Sequence, residues 1–246
     1  MDYKEFYERV GKEIGWDFSR VKTISEGEKW DFYDVVSAKL KKTDLWLDLA
    51  SGSGERLIHY APKSLLLVAS DFTAGMIEKA KDNIGKIGHS NIRFLKIDAY
   101  NKIDFPDDFF DIISVRHSHF NSSEVARILK PNGLFLTQQV EYKDKENFVS
   151  YFGRHQCENS TNLLARRYAE ELTQLKFSEV IIDEYDADEY YEGYEDVLFF
   201  LKNTPVVPDF GKFEDDFKAL DRFIKDNSTE KGIKTNSHRS ILIARK

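Results

Sequence analysis

An acidic residue and a glycine-rich turn follow the first strongly apolar run of the sequence, in LWLDLASGSGERL (45–57). Asp48 closes the apolar run, which predicts a position at the carboxyl end of a β-strand, where open α/β sheets bind ligands. Gly52 and Gly54 let the backbone approach such a ligand without an intervening Cβ atom. A helix predicted to start just after them would direct free N–H groups toward the same place. By themselves, these residues fit an ordinary tight turn between strand and helix equally well.

Two more acids follow the next two predicted strands. Asp71 comes 17 residues after Gly54, a spacing at which a carboxylate accepts hydrogen bonds from both ribose hydroxyls. It could instead cap the helix that follows Thr73. Asp98, followed by Ala99, is placed to accept a hydrogen bond from an adenine amino group. Because the carboxyl ends of parallel strands meet at one edge of a sheet, the acids predict a nucleoside site there.

The position of Asp48 bears on which nucleotide is bound. A dinucleotide carries a pyrophosphate, which a nearby carboxylate destabilises, and Asp48 lies four residues before Gly52. S-adenosylmethionine carries no phosphate, and carboxylates attract its ammonium and sulfonium groups. The acids therefore favour S-adenosylmethionine over a dinucleotide.

Apolar runs alternate with helical patterns along most of the chain. The predicted strands are residues 45–50, 65–71, 92–98, 110–116, 133–141, 179–186 and 239–245. The predicted helices between them include 73–87, 123–130 and 162–177. Several strands are apolar throughout, which is typical of strands covered on both faces. The alternation predicts a doubly wound, mainly parallel α/β sheet.

We expect one domain over residues 1–246. Within it, 1–42 would form an N-terminal helical cap, 43–186 the cofactor-binding core, 187–228 a helical insertion and 229–246 the final strand. The N-terminal segment and the insertion are both rich in aromatic residues. Because a connection as long as the insertion commonly serves function, we expect it to cover the carboxyl edge of the sheet as a substrate lid.

Composition argues against several other classes of protein. The net charge of −7 disfavours nonspecific nucleic-acid binding. The single cysteine, Cys157, excludes an internal disulfide framework and a multi-cysteine zinc site. No apolar run approaches the ~20 residues that span a bilayer, and the charged N-terminus lacks the pattern of a secretory signal. We expect a cytoplasmic protein with neither a membrane nor a metal partner.

Four segments, in this order, resemble the motifs of class I S-adenosylmethionine-dependent methyltransferases. They are LDLASGSGERL, with Ala50 where the family usually has glycine, ASDFTAGMIEKAK, FLKIDAYNKIDFPDDFFDIISV and EVARILKPNGLFL, with Asn132 in place of another glycine. The resemblance covers about residues 40–142. It implies a seven-stranded sheet whose last strand is antiparallel, and S-adenosylmethionine as the cofactor. The predicted cofactor-binding residues are Asp48, Ala50, Gly52, Gly54, Asp71, Phe72, Asp98, Ala99 and Arg116.

In this family the segment after the fourth strand lines the reaction space, and here it reads VRHSHFNSSE. Methyl transfer from a sulfonium is an in-line displacement that depends on proximity, and it can also use a base with a pKa near neutral. His117 and His119 are the candidate catalytic bases, although loop histidines bonded to backbone fit the pattern as well. Gln138 or Gln139 could position a polar substrate, but strand neighbours face opposite ways. A metal bound to the histidine pair would need a third ligand such as Glu141.

The same segment argues against three related activities. It has no Asn/Asp-Pro-Pro-aromatic motif for exocyclic amino groups of bases, no cysteine nucleophile for cytosine C5, and no acid for aminopropyl transfer. We therefore predict methyl transfer to an oxygen or nitrogen of a small or medium organic acceptor, by a monomer or homodimer. A tRNA or rRNA methyltransferase and a non-catalytic S-adenosylmethionine-binding module remain alternatives.

Overall fold

The structure is a computed structural model that describes residues 1–156 and 163–246, so Cys157 lies outside the described residues. The α-helices are α1 (Tyr3–Glu13), α2 (Phe32–Ser37), α3 (Ala74–Ile87), α4 (Ser122–Ile128), α5 (Glu146–Phe152), α6 (Leu164–Gln174), α7 (Tyr194–Asn203) and α8 (Asp216–Asn227), and a 3-10 helix spans Leu57–Lys63. The strands are β1 (Thr23–Glu26), β2 (Leu45–Leu49), β3 (Leu66–Asp71), β4 (Ile92–Lys96), β5 (Phe110–Arg116), β6 (Leu129–Val140), β7 (Ser178–Tyr191), β8 (Ser228–Thr229) and β9 (Gly232–Arg245). No helix within these ranges is both long enough and apolar enough to cross a membrane.

The strands form one mixed sheet in the order β1-β7-β9-β6-β5-β2-β3-β4, and β8 pairs with β9. The pairs β2–β3, β2–β5, β3–β4 and β5–β6 are parallel, whereas β9 runs antiparallel to both β6 and β7. The prediction of a doubly wound, mainly parallel sheet with an antiparallel last strand is confirmed. The predicted number of seven strands is too low, since β1 and β8 add short antiparallel pairs. All four residues of β1 are exposed, so this strand has no apolar pattern that could predict it.

Helices cover both faces of the sheet, which explains the continuous apolar runs of the central strands. On one face, α4 and α6 contribute Val125 and Tyr168 to a buried cluster that includes Phe135 of β6. On the other face, α2 and the 3-10 helix pack Val36 and Leu57 around β2 and β3. Each central strand is thus desolvated on both sides, and apolar burial of this kind is the dominant favourable term in folding.

The insertion begins later than its predicted boundary. The strand predicted at 179–186 continues to Tyr191, because that side chain is buried with Phe148 and Phe223 in a third apolar cluster formed with α5, α7 and α8. β7 runs in the same direction as β6, since both are antiparallel to β9. The end of β7 at Tyr191 therefore lies at the same edge of the sheet as Asp48. Helices α7 and α8 pack at this carboxyl edge.

The N-terminal segment contains α1, the strand β1 and α2, so it is less helical than predicted. Helix α1 packs closely on α3 where two glycines meet. A Cβ atom on Gly11 would lie 2.9 Å from the backbone nitrogen of Met76, and one on Gly75 would lie 2.7 Å from that of Lys12. This contact holds the first helix next to the glycine-rich turn. The segment after that turn is a short 3-10 helix containing Pro62, whose missing N–H disfavours a longer α-helix.

Candidate active site

Asp48 is fully buried at the carboxyl end of β2 and is surrounded by hydroxyl groups. Its Oδ1 accepts hydrogen bonds from the Ser51 hydroxyl at 2.7 Å and, at a long 3.4 Å, from the Tyr33 hydroxyl. Its Oδ2 accepts from the Ser114 hydroxyl. Burial raises the pKa of Asp48 to about 6, although these donors and Arg116 act in the opposite direction. A cationic group of a ligand would therefore stabilise the ionised form of this buried carboxyl.

The glycine-rich turn lies directly after Asp48, and its backbone explains part of its sequence. Ala50 has a φ of 55° and Gly52 a φ of 60°, both in the left-handed region. Glycine adopts this region freely, whereas an alanine there costs roughly 1–2 kcal/mol, so a glycine would fit position 50 with less strain. At Gly52 a Cβ atom would lie 2.8 Å from the Cβ of Trp16, and the Trp16 backbone N–H donates to the Ser53 hydroxyl at 2.7 Å. The N-terminal segment thus packs directly on this turn.

Asp71 lies next to the turn at the end of β3. Its Oδ2 accepts from the backbone N–H of Gly52 at 3.2 Å, and its Oδ1 accepts from the backbone and hydroxyl of Thr73 at 3.0 Å each. Burial raises the pKa of Asp71 to about 6. Thr73 itself caps α3 by accepting from Met76 N–H, so Asp71 supports the cap rather than forming it. Its neighbour Phe72 contacts the ring of Tyr7 edge to face, at 5.9 Å between centroids.

Asp98 and Ala99 lie beyond β4, which ends at Lys96, two residues earlier than predicted. Asp98 is exposed, and its carboxylate accepts from the backbone of Tyr100 at 3.0 Å and the side chain of Asn101 at 2.9 Å. Ala99 is buried, and its carbonyl accepts from Asn121 N–H at 2.9 Å. Asp98 is thus accessible in a turn at the same edge as Asp48, but it does not contact the other acids.

Arg116, at the end of β5, lies on the same sheet face as Asp48. Asp48 is in register with Ser114 and Arg116 with Gln138, and residues two apart on a strand share a face. The Arg116 guanidinium lies 5.9 Å from the centre of the Tyr33 ring. Burial lowers the pKa of Arg116. Asp48 and Arg116 therefore both lie next to Tyr33, on one face of the sheet.

His117 lies in a hydrogen-bonded chain beside Arg116. Trp30 Nε1 donates to Gln138 Oε1 at 2.7 Å, so the Gln138 amide nitrogen faces His117 Nε2, also at 2.7 Å. An amide N–H2 only donates, and His117 Nε2 must then accept, which places the ring proton on Nδ1. Burial, followed by the charges of Arg116 and Arg239, lowers the pKa of His117 well below 6.5. His117 is therefore neutral, and in this arrangement Nδ1–H is a donor.

His119 does not take part in the hydrogen bonds that join Trp30, Gln138 and His117. It is exposed, and its Nδ1 lies 2.8 Å from the Tyr168 hydroxyl of α6. Its ring is 5.9 Å from that of Tyr100, next to Asp98. Desolvation and the charge of Arg167 lower its pKa. The two candidate histidines therefore face different surroundings, His117 beside Arg116 and His119 beside the turn that carries Asp98.

The remaining polar side chains suggested by the sequence have structural partners. Gln139 faces away from Gln138 and donates to Ser118 O at 3.0 Å and the Thr137 hydroxyl at 2.6 Å. Glu141 is buried and accepts from the first backbone N–H groups of α6, those of Leu164 and Ala165, at 2.6 and 3.1 Å. It caps that helix instead of approaching the histidines. Within residues 1–156 and 163–246, no group of three His, Cys, Asp or Glu side chains is arranged to hold a metal ion.

Sequence reasoning missed Tyr33, Trp30 and Ser114, which contribute most of the contacts around Asp48 and His117. Tyr33 and Trp30 precede the first predicted strand, in a segment whose strand and helix patterns are short. Ser114 interrupts the apolar run FDIISVR, and a serine in a strand buried on both faces is the one signal that could have pointed to it. Its hydroxyl is satisfied by accepting from Trp46 Nε1 at 2.8 Å and by donating to Asp48.

Two open clefts lie outside this cluster. One crosses the middle of β7 and β9 between Tyr142, Tyr185 and His238. The other runs along α6 beside Phe120 and Tyr168. Neither is lined by Asp48, Asp71 or the glycine-rich turn, so we assign the cofactor position from the buried acids and the turn rather than from these clefts.

Comparison with known proteins relates the central part of the chain to methyltransferases. Residues 47–133, which include the acids, Arg116 and both histidines, match the family model described as a methyltransferase domain. The protein named uncharacterized methyltransferase YcgJ of Bacillus subtilis is 33% identical over 141 residues, which are 54% of this chain and 54% of that protein. The ubiquinone/menaquinone biosynthesis C-methyltransferase UbiE of Geobacter sulfurreducens is 27% identical over 129 residues, 48% of this chain and 50% of that protein. The chain thus spans about half the length of these relatives.

Solved structures share the fold over more of the chain. The crystal structure of Bacillus subtilis YcgJ has a TM-score of 0.64 at 21% identity and covers 87% of this chain and 96% of its own. The [4+2]-cyclase SpnF has a TM-score of 0.62 at 16% identity and covers 99% of this chain and 95% of its own. At such identities the likeness establishes a Rossmann-like fold, and it does not select the reaction.

Proposed function

We propose that this chain is a class I S-adenosylmethionine-dependent methyltransferase that transfers a methyl group from S-adenosylmethionine to an oxygen or nitrogen of a small or medium organic acceptor. A location in the cytoplasm and a monomeric or homodimeric state remain predictions from the sequence.

The observation that carries the proposal is the buried Asp48 next to the glycine-rich turn. Burial raises the pKa of Asp48 to about 6, because the ionised carboxylate has lost its hydration. A bound cation would compensate for that loss and stabilise the ionised form. The amino group of S-adenosylmethionine is such a cation, and the cofactor lacks the phosphate that this charge would repel. A pyrophosphate at the same turn would face a carboxylate held by Ser51 and Ser114 in a fixed position.

The other predicted residues suit the remaining parts of the cofactor. Asp71 would exchange its bond to Gly52 N–H for the ribose hydroxyls, and Phe72 would lie against the adenine. Asp98 would accept from the adenine amino group, since it is accessible at that end of the sheet edge. Ala50 and Ala99 present small side chains there. The sulfonium would then lie beyond the end of β5, near the loop in which His117 is held.

Once the cofactor is bound, methyl transfer requires chiefly that the acceptor be held in line with the sulfonium methyl. His117 is the histidine on this side, and as a neutral imidazole it could receive a proton if the Gln138 amide released Nε2. Its depressed pKa makes it a weak base, so it suits an acceptor group that is itself acidic. His119 bonds Tyr168, and we assign it a supporting role in the loop.

Helices α7 and α8 would close the acceptor side. Their cluster with α5 lies at the carboxyl edge, and the N-terminal segment bonds to it through the Arg9 guanidinium, which donates to Lys202 O at 2.9 Å. Phe18 contacts Phe199 of α7 at 5.9 Å between ring centroids. We therefore propose that 187–228 shapes the acceptor pocket together with the N-terminal segment, as a lid on the catalytic edge.

A carbon nucleophile is a second candidate, because the relatives named UbiE are called C-methyltransferases. An RNA acceptor is less well supported, since the net charge is −7 and phosphate binding rests on lysine and arginine. A non-catalytic binding module would bind the cofactor without turnover. These alternatives differ in products that can be measured.

The test combines a binding titration with a turnover screen. Calorimetry with S-adenosylhomocysteine and with NADH should show binding of the first only, and binding of NADH alone would contradict the proposal. Pools of phenols, amines and carboxylic acids, and a separate sample of total tRNA, are then incubated with methyl-labelled cofactor. Label on an oxygen or nitrogen of a small molecule, located by mass spectrometry, supports the proposal, whereas label on a carbon favours the second candidate. Label only in tRNA, or binding without turnover in any pool, overturns it in favour of the corresponding alternative.

A further inference from the structure

The charged side chains around His117 are paired, with one exception. Arg56 bonds Asp31, and Arg239 bonds Asp144, which is itself 3% exposed. These cations, and the buried Lys145 noted below, all act on the His117 ring. Each has its own carboxylate, so none offers a free charge to a ligand.

Lys145, which is 1% exposed, completes the set of paired cations. Its ammonium lies 2.8 Å from the Glu189 carboxylate and donates to Asn236 O at 3.0 Å. The fourth cation is Arg116. Within residues 1–156 and 163–246, no side chain or backbone group forms a hydrogen bond or an ion pair with its guanidinium, whose aromatic contact is with Tyr33. The charge of Asp48 acts on Arg116 only from beyond hydrogen-bond distance. A half-buried guanidinium without a direct hydrogen bond has lost part of its hydration and has not replaced those bonds from the protein.

The surroundings of Arg116 are aromatic on one side and polar on the other. Tyr33 lies over the guanidinium at 5.9 Å, and Trp30, which packs on Tyr185 at 4.7 Å between ring centroids, bonds the Gln138 side chain in register with Arg116. A guanidinium presents paired N–H donors that match the two oxygens of a carboxylate. The half-buried ring of Trp30 offers contact to a planar apolar body.

We propose that Arg116 is the binding residue for a carboxylate of the acceptor, so that the acceptor is a small organic acid whose apolar part lies against Trp30. This inference rests on the proposed function and adds the class of substrate to it. The amino-acid end of the cofactor is a second source of the same chemistry. We favour the acceptor, because Arg116 is in register with Gln138, whose side chain bonds Trp30 and His117, whereas the glycine-rich turn follows β2.

The test uses benzoate and benzamide, which have the same planar shape and differ in charge. Each is titrated by calorimetry into the full-length protein with and without saturating S-adenosylhomocysteine, and the indole N–H signal of Trp30, assigned with Trp30→Phe, locates the binding. The wild-type protein should bind benzoate about 10-fold or more tightly than benzamide. Arg116→Met should reduce that ratio to about twofold or less, whereas Arg116→Lys, which keeps the charge but loses the paired donors, should give an intermediate ratio.

Arg93→Met is the matched control, since Arg93 is an exposed arginine of the edge strand β4, and it should keep the wild-type ratio. Equal binding of the two probes to the wild-type protein, or no binding of benzoate at millimolar concentrations, overturns the inference. So does a loss of about 10-fold or more in S-adenosylhomocysteine affinity in Arg116→Met, which would assign the guanidinium to the cofactor. Failure of the wild-type protein to bind S-adenosylhomocysteine instead contradicts the proposed function, and the benzoate ratio measured without it remains readable.

Discussion

Replacing Asp48 by asparagine should make the unliganded protein more stable at neutral pH. Burial raises the pKa of Asp48 from 3.8 to about 6, and ionising a carboxyl with such a pKa in the native state costs about 3 kcal/mol of folding free energy. The native state binds this proton more tightly than the unfolded chain does. Stability due to Asp48 therefore falls as the pH rises from about 4 to about 6 and stays reduced above that.

The asparagine side chain would avoid this cost but would change one hydrogen bond. Its amide oxygen can still accept from Ser51 and Tyr33, whereas its N–H2 would face the Ser114 hydroxyl that now donates to Asp48. That hydroxyl can turn to accept, at a cost of about 1 kcal/mol for the bond it no longer donates. The net gain for Asp48→Asn is then about 2 kcal/mol at pH 7.5, or a rise in Tm of about 4–8 °C.

The same substitution should weaken cofactor binding, because the charge that attracts the ammonium group is removed. We expect S-adenosylhomocysteine to bind about 10- to 100-fold more weakly. In the wild-type protein, affinity should fall as the pH drops below about 6, since protonation of Asp48 removes the same charge.

The assay is thermal unfolding of wild type and Asp48→Asn from pH 4 to pH 8, with calorimetry for the ligand. Asp44→Asn is the control: Asp44 is buried at the opposite end of β2 and accepts from Lys41 N–H at 2.8 Å, so its loss should not stabilise the fold. The reasoning is refuted if Asp48→Asn is less stable than wild type at pH 7.5, or if the difference between them is the same at pH 4 and pH 8.

Three further predictions concern the same edge of the sheet. Asp71→Ala should weaken S-adenosylhomocysteine binding by roughly 10- to 100-fold or more, since charge-assisted bonds to the ribose are lost; unchanged affinity by calorimetry in a folded variant would remove Asp71 from the site. His117→Ala should lower kcat by ~10²–10⁴-fold with little effect on cofactor affinity, whereas His119→Ala should lose less than about tenfold. Losses below tenfold in both, measured with the acceptor found by the turnover screen, would mean that proximity alone drives transfer. Gly52→Ala should destabilise the fold by about 1–3 kcal/mol, because φ at this position is 60° and the new Cβ atom would meet Trp16. The control is Gly85→Ala on helix α3, where an added Cβ atom has no neighbour within 4 Å, so this variant should be neutral or stabilising. Equal changes in Tm for the two variants would contradict this prediction.

Local sequence pattern is enough to predict the central sheet and the placement of its acids. The strands at 45–50, 65–71 and 110–116 are recovered within a residue or two, because a strand covered on both faces must be apolar throughout. Asp48 and Asp71 follow such runs directly, so their position at the carboxyl edge is a consequence of local pattern and parallel topology. The unusual Ala50 is visible in the sequence too, although its positive φ is not.

The surroundings of those acids depend on tertiary packing. Trp30 and Gln138, which fix the proton of His117, are 108 positions apart, and Trp16 and Ser53, which join the N-terminal segment to the turn, are 37 apart. Contacts between residues far apart in the sequence also give His117 and His119 different neighbours. Contacts of this kind pack α7 and α8 at the carboxyl edge. The periodicity of apolar residues indicates which face of a helix or strand is buried. Which segment packs on that face depends on the entropy of closing the intervening loop and on the fit of distant side chains. Neither quantity produces a pattern in the local sequence.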